Sequence, residues 1–117
     1  MVKNIEKLLI EAGYNLPKAI DLEPNDEKKS LELLHILKKN KKVYEVMQGM
    51  WIHSLVWDKL IRELSLYFST HQKMKISDFK IMTKTTRKNA IPLLEFLDKM
   101  KITERNGDIR VKGESCD

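Results

Sequence analysis

Apolar positions along this chain change period several times, and each change marks an element. Ile5, Leu8, Leu9 and Ala12 recur at helical steps, and Gly13 supplies a stop. Pro17 opens a short predicted helix, Pro-Lys-Ala-Ile-Asp, which Glu23-Pro24 ends. Asn25 is placed to cap the next helix, with Asp26 and Glu27 in a first turn whose dipole favours carboxylates. The apolar set of that helix is Leu31, Leu34, Ile36 and Leu37, and it closes on Lys38, Lys39 and Asn40. The flanks of Gln48-Gly49, residues 41–46 and 50–53, then have strand propensity, and Gly49 permits a turn.

The same order comes round again. Ser54 is placed to cap a helix running to Thr70, with Leu55, Leu60, Leu64, Tyr67 and Phe68 as its buried set. The run His-Gln-Lys-Met-Lys from His71 breaks it, and Ser77 caps a short helix carrying Ile76, Phe79 and Met82. A longer helix follows with Ala90, Leu93, Leu94, Leu97 and Met100 on one face. Pro92 lies well inside it and leaves two readings open. Either the first turn is kinked or loosened, or the helix starts at Pro92 and residues 84–91 form a loop. Two strand-like runs, residues 101–105 and 109–112, flank Asn106-Gly107-Asp108, and Asn-Gly accepts the positive φ of a type I′ turn.

Helix, short helix, helix and hairpin is the order of a winged helix-turn-helix, and it occurs twice. The predicted fold is therefore α+β and mostly helical, with two tandem winged-helix units, residues 1–53 and 54–117. No Gly/Ser or Pro linker separates them.

Charge singles out the second unit. Up to His53, nine Lys oppose eight acids; from Ser54 on, nine Lys and four Arg oppose nine acids. Every arginine thus lies in the second unit, and Arg is the side chain suited to forked phosphate and base contacts. Arg87 and Lys88 fall in the first turn of the longer helix, where free amides and the dipole favour phosphate. Arg105 and Arg110 flank the second hairpin. These features also admit plainer readings, a solvated basic face and a wing held by Arg–Asp pairs through Asp108. No P-loop or nucleophile motif is present, and His35, His53 and His71 have no metal-ligand spacing, so neither catalysis nor a cofactor is expected. Trp51, Trp57, Tyr67 and Phe68 are expected in cores or in packing between the units rather than stacked on bases. Cys116 alone can form no intrachain disulfide, no apolar run reaches membrane-spanning length, and a cytoplasmic setting is expected.

The run from Thr85 to Asp98, Thr-Thr-Arg-Lys-Asn-Ala-Ile-Pro-Leu-Leu-Glu-Phe-Leu-Asp, followed by Ile-Thr-Glu-Arg-Asn-Gly-Asp-Ile-Arg-Val, resembles the last winged helix of bacterial selenocysteine-specific elongation factor, SelB. Thr86, Arg87, Lys88, Ala90, Pro92, Leu93, Leu94, Glu95, Asp98, Thr103, Arg105, Gly107, Asp108 and Arg110 carry the match, while Lys84, Asn89 and Glu104 depart from it. The resemblance implies a fragment of a translational GTPase, without the GTPase part, that grips the messenger-RNA hairpin directing selenocysteine incorporation at UGA. By position it implies RNA contacts from Lys84, Arg87, Lys88, Arg105, Gly107 and Arg110. The first unit, residues 1–53, with a net charge near zero and no arginine, is expected to be a spacer. The resemblance also implies that the ribosome and selenocysteyl-tRNA are met only through the upstream part; a monomer without a membrane partner is expected. The competing expectation is a DNA-binding winged-helix regulator reading base edges in a major groove.

Overall fold

The computed structural model describes residues 2–116. It divides into two compact units, one up to Trp57 and one from Asp58 on. The first contains α1 (Val2–Ala12), α2 (Ala19–Leu22), α3 (Glu27–Lys39), β1 (Val43–Met47) and β2 (Met50–His53). Helix α4 (Ser54–Thr70) starts in it and runs on into the second unit, which adds β3 (Met74–Lys75), α5 (Ile76–Thr83), α6 (Arg87–Lys99), β4 (Thr103–Asn106) and β5 (Ile109–Lys112). Each unit thus contains a helix followed by an antiparallel hairpin, the winged-helix order.

In the first unit, Ile5 and Leu9 of α1 pack with Ala19, Leu22, Leu34, Leu37, Val43 and Trp51. Gly13 ends α1 at a φ of 59°, a conformation that glycine enters without a Cβ penalty. Pro17 lies before α2 rather than in it, and its carbonyl accepts the Trp51 amide at 3.1 Å. Asp26, not Asn25, caps α3: its Oδ1 accepts from the Lys29 amide at 3.1 Å. Ile36 faces outward, 54% exposed, while Leu33 packs partly against the core.

His53 caps α4. Its Nδ1 accepts the Leu55 amide at 3.1 Å, so Nδ1 carries no hydrogen and Nε2 donates to Glu6 Oε1 at 2.9 Å. Ser54 is already the first helical residue, and Leu55 is 60% exposed; Val56, Trp57, Leu60 and Leu64 hold the buried face.

In the second unit, the expected breaker at residues 71–75 ends in β3, whose Met74 pairs with Arg110. The sheet order is β3-β5-β4, so β5 is central. Ser77 does not cap α5. Lys75 stands at that position, and its amide donates to Asp78 Oδ2 at 2.9 Å. Helix α6 starts at Arg87 and contains Pro92, which rules out a loop over residues 84–91. Ala90, Pro92, Leu93, Leu94 and Leu97 are buried, whereas Met100 is half exposed. The wing turn is Gly107-Asp108, and only Gly107 has positive φ, at 66°. A glycine in the first turn position is the type II′ requirement, one residue along from the expected type I′ turn on Asn106-Gly107.

The two units reuse local devices. Lys18 and Lys75 each donate a backbone amide to an aspartate three residues on, Asp21 and Asp78. Lys41 and Lys101 each follow α3 and α6 in the left-handed region, at φ of 59° and 62°. The next amides, Lys42 and Ile102, then reach back to Leu37 and Leu97 at 2.9 and 3.0 Å, as in a Schellman motif.

Candidate nucleic-acid interface

The turn between α5 and α6 is three residues, Lys84-Thr85-Thr86. Lys84 takes the left-handed conformation at φ 54° as the C-cap of α5, and its amide donates to the Lys80 carbonyl at 2.8 Å. Its side chain is exposed, and Thr85 beside it is buried. Thr86 is the N-cap of α6, but its hydroxyl caps no helix amide and instead accepts from Asn89 Nδ2 at 3.3 Å. Arg87 and Lys88 are the first two helical residues and are exposed, with no carboxylate in that turn. Two cations at the positive end of a helix dipole oppose the helix by a few tenths of a kcal/mol, a cost that an anionic ligand removes. Pro92 adds to this, because it has no N–H to donate to the Lys88 carbonyl one turn back.

On the wing, Arg105 and Gly107 are exposed, and the Arg105 Nε donates to the Gly107 carbonyl at 3.1 Å. That bond folds the guanidinium over the wing tip. Lys112 is also exposed.

Arg110 is placed differently from the other five expected contacts. It is only 4% exposed, and its guanidinium lies against Asp98 of α6, with Nη2 to Oδ2 at 2.9 Å and Nε to Oδ1 at 3.4 Å. The sequence puts Arg110 near the wing tip, and that nearness suggested a surface position. Its strand decides otherwise: β5 is covered by β3 and β4 on its two edges, and Asp98 offers a carboxylate in the last turn of α6. The Arg–Asp pair of this wing therefore uses Asp98, not Asp108. Asp98 and Thr103 carried no expected role in the sequence, yet the Thr103 hydroxyl donates to Asp98 Oδ1 at 2.6 Å. The signal that could have found them is the pairing of an acid at the end of α6 with a basic residue in the middle of the following hairpin.

Residues 66–111 match the family model described as elongation factor SelB, winged helix. A selenocysteine-specific elongation factor of Desulfomicrobium baculatum is 34% identical over 110 residues, which is 91% of this chain and 17% of that relative. The chain thus spans about a sixth of the relative's length. A solved structure of the messenger-RNA-binding domain of elongation factor SelB from E. coli in complex with SECIS RNA superposes with a TM-score of 0.66 at 17% identity, covering 94% of this chain and 98% of that one. The crystal structure of a bacterial selenocysteine-specific elongation factor, EF-Sec, superposes with a TM-score of 0.69 at 22% identity, over 95% of this chain and 18% of that one. At those identities the two structures establish the fold, and it is the fold expected from the order of elements.

Proposed function

The chain resembles the C-terminal winged-helix region of SelB, and from that premise we propose that it binds a messenger-RNA hairpin that directs selenocysteine incorporation. The observation that carries this reading is the exposed basic start of α6, Arg87 and Lys88, in the same SelB-like segment as the arginine-bearing wing. Lys84, Arg87, Lys88, Arg105 and Gly107 are the contact residues of this reading. An RNA stem offers rows of phosphates to the lysines, and its loop offers unstacked bases to arginine. Binding rather than catalysis is the role assigned to these residues. The first unit, without arginine, serves as support. The GTP chemistry and the meetings with ribosome and selenocysteyl-tRNA belong to other parts of such a factor, which works as a monomer in the cytoplasm.

The test is a competition titration at about 0.15 M salt between a selenoprotein-type RNA hairpin, a scrambled hairpin of equal length and duplex DNA. The selenoprotein-type hairpin should displace both others. Duplex DNA winning would favour a DNA-binding regulator, and equal binding of the two RNA hairpins would reduce the surface to a non-specific polyanion binder.

A further inference from the structure

We propose that Asp98, with Thr103 and Arg110, is a positioning device that fixes the wing against α6, and that Arg110 acts through Asp98 rather than on RNA. This rests on the RNA-binding reading above and assigns a role to residues outside its contact surface.

One carboxylate collects both strands of the wing. Asp98 Oδ1 accepts from Thr103 at the start of β4, and Oδ2 accepts from Arg110 in β5. Asp98 itself sits in the last turn of α6, the helix that begins with Arg87 and Lys88. The base of the wing is therefore tied, by directional bonds, to the element that carries the other half of the contact surface. The helix does not account for Asp98, because a carboxylate at a helix C-terminus opposes the dipole. Nor does the fold alone require the triad. In the first unit the matching place on the second strand is Trp51, paired with Glu45 as Arg110 is paired with Arg105, and the first strand starts with Val43 instead of Thr103. Trp51 and Val43 are fully buried, so the same hairpin is built there on apolar packing. Replacing a buried ion pair by apolar groups is often neutral or stabilising. What the polar triad adds in the second unit is direction: hydrogen bonds fix angles that dispersion leaves loose.

The test uses the full chain. Asp98→Asn removes a negative charge close to a surface that binds a polyanion, so charge alone predicts tighter RNA binding. Positioning predicts the opposite sign: a wing that holds its competent geometry about a tenth of the time binds roughly tenfold more weakly. Thr103→Val should weaken binding and Thr103→Ser should restore it. Arg110→Met should weaken binding without changing the salt slope, and Asp98→Asn with Arg110→Met should bind no worse than the weaker single variant. Tighter binding by Asp98→Asn, or a salt slope lowered by about one in Arg110→Met, would overturn the proposal. A second arm needs no RNA. In the wild-type chain the Arg110 Nε–H resonance should exchange slowly with water and should shift in Thr103→Val; fast exchange removes the device whatever the RNA arm shows. If the wild-type chain fails to discriminate between RNA hairpins, the functional reading falls, and this second arm still decides whether the triad holds the wing.

Discussion

Gly113→Ala should destabilise the second unit more than any other single methyl added to a glycine of this chain. A Cβ built on Gly113 would lie 2.3 Å from the Lys101 carbonyl oxygen and 2.7 Å from the carbonyl carbons of Lys101 and Ile102. All of these are backbone atoms, so no side chain can swing aside. Ordinary carbon–oxygen contacts stand at about 3.3 Å, and the chain after β5 would have to withdraw by about 1 Å. Two hydrogen bonds lie across that gap, from the Gly113 amide to Ile102 at 2.9 Å and from the Ser115 amide to Lys101 at 2.8 Å. Losing them costs about 1 kcal/mol each, and strain from overpacking adds about 1–3 kcal/mol, for a total of about 3–5 kcal/mol. In a unit of this size that lowers the melting temperature by roughly 15 °C or more. Gly107→Ala is the control: its φ is 66° but nothing lies within 4 Å of the added Cβ, so only the left-handed penalty of about 1–2 kcal/mol applies. Thermal melts followed by circular dichroism, backed by urea midpoints, give both numbers. A Gly113→Ala protein that melts within a few degrees of wild type, or above Gly107→Ala, would refute the reasoning.

Lys88→Ala should weaken all RNA hairpins alike and lower the salt slope by about one, while Arg87→Ala should cost about 1–3 kcal/mol and blunt discrimination between loops. Lys39→Gln with Lys42→Gln, in the first unit, should leave that slope unchanged in the same titrations, and a fall of one or more would place an RNA contact there. Glu45 has its carboxyl held below the ordinary 4.5 by the Gly49 amide first and by Lys38 next. Its stabilisation is therefore present above pH 4.5 and lost as pH falls through the lower folded value, so Glu45→Gln should flatten the acid limb of the first unit's urea midpoint against pH; an unchanged limb would contradict this. His53→Ala removes the cap of α4 and strands Glu6, and should cost about 1–3 kcal/mol in a urea titration, with a loss below about 0.5 kcal/mol counting against the cap.

The long helices were legible because their apolar faces exceed the ambiguity of any one residue. Leu34 and Leu37 in α3, and Leu93, Leu94 and Leu97 in α6, repeat at helical spacing and are buried as that spacing requires. The caps were not legible to the residue. Asn25 and Asp26 are equally good caps, and only the tertiary placement of α3 decides between them. His53 was hidden for another reason: its role depends on Glu6, 47 residues away, and on a ring nitrogen that no local pattern reveals. β3 is two residues long, too short for a period to show. Gly113 is invisible to turn chemistry, because what demands a glycine there is the approach of the Lys101–Ile102 backbone.

For the site, sequence could find the cations but not the direction in which they face. Arg105 and Arg110 are register partners on neighbouring strands, equally close to the turn, and a sequence treats them alike. The edge strand leaves Arg105 at the surface with its guanidinium turned to the wing tip. The central strand buries Arg110, and a buried guanidinium is tolerated only where a carboxylate meets it. Asp98 supplies that carboxylate, and the cost of an acid at the end of α6 is met by the same pair. The Thr-x-Arg-x-Gly-Asp-x-Arg run thus divides by depth: Arg105 and Gly107 face the solvent, while Thr103 and Arg110 face Asp98. Substitutions at the two arginines should therefore fail in different ways, one by losing a contact and one by losing the geometry in which the contacts are made.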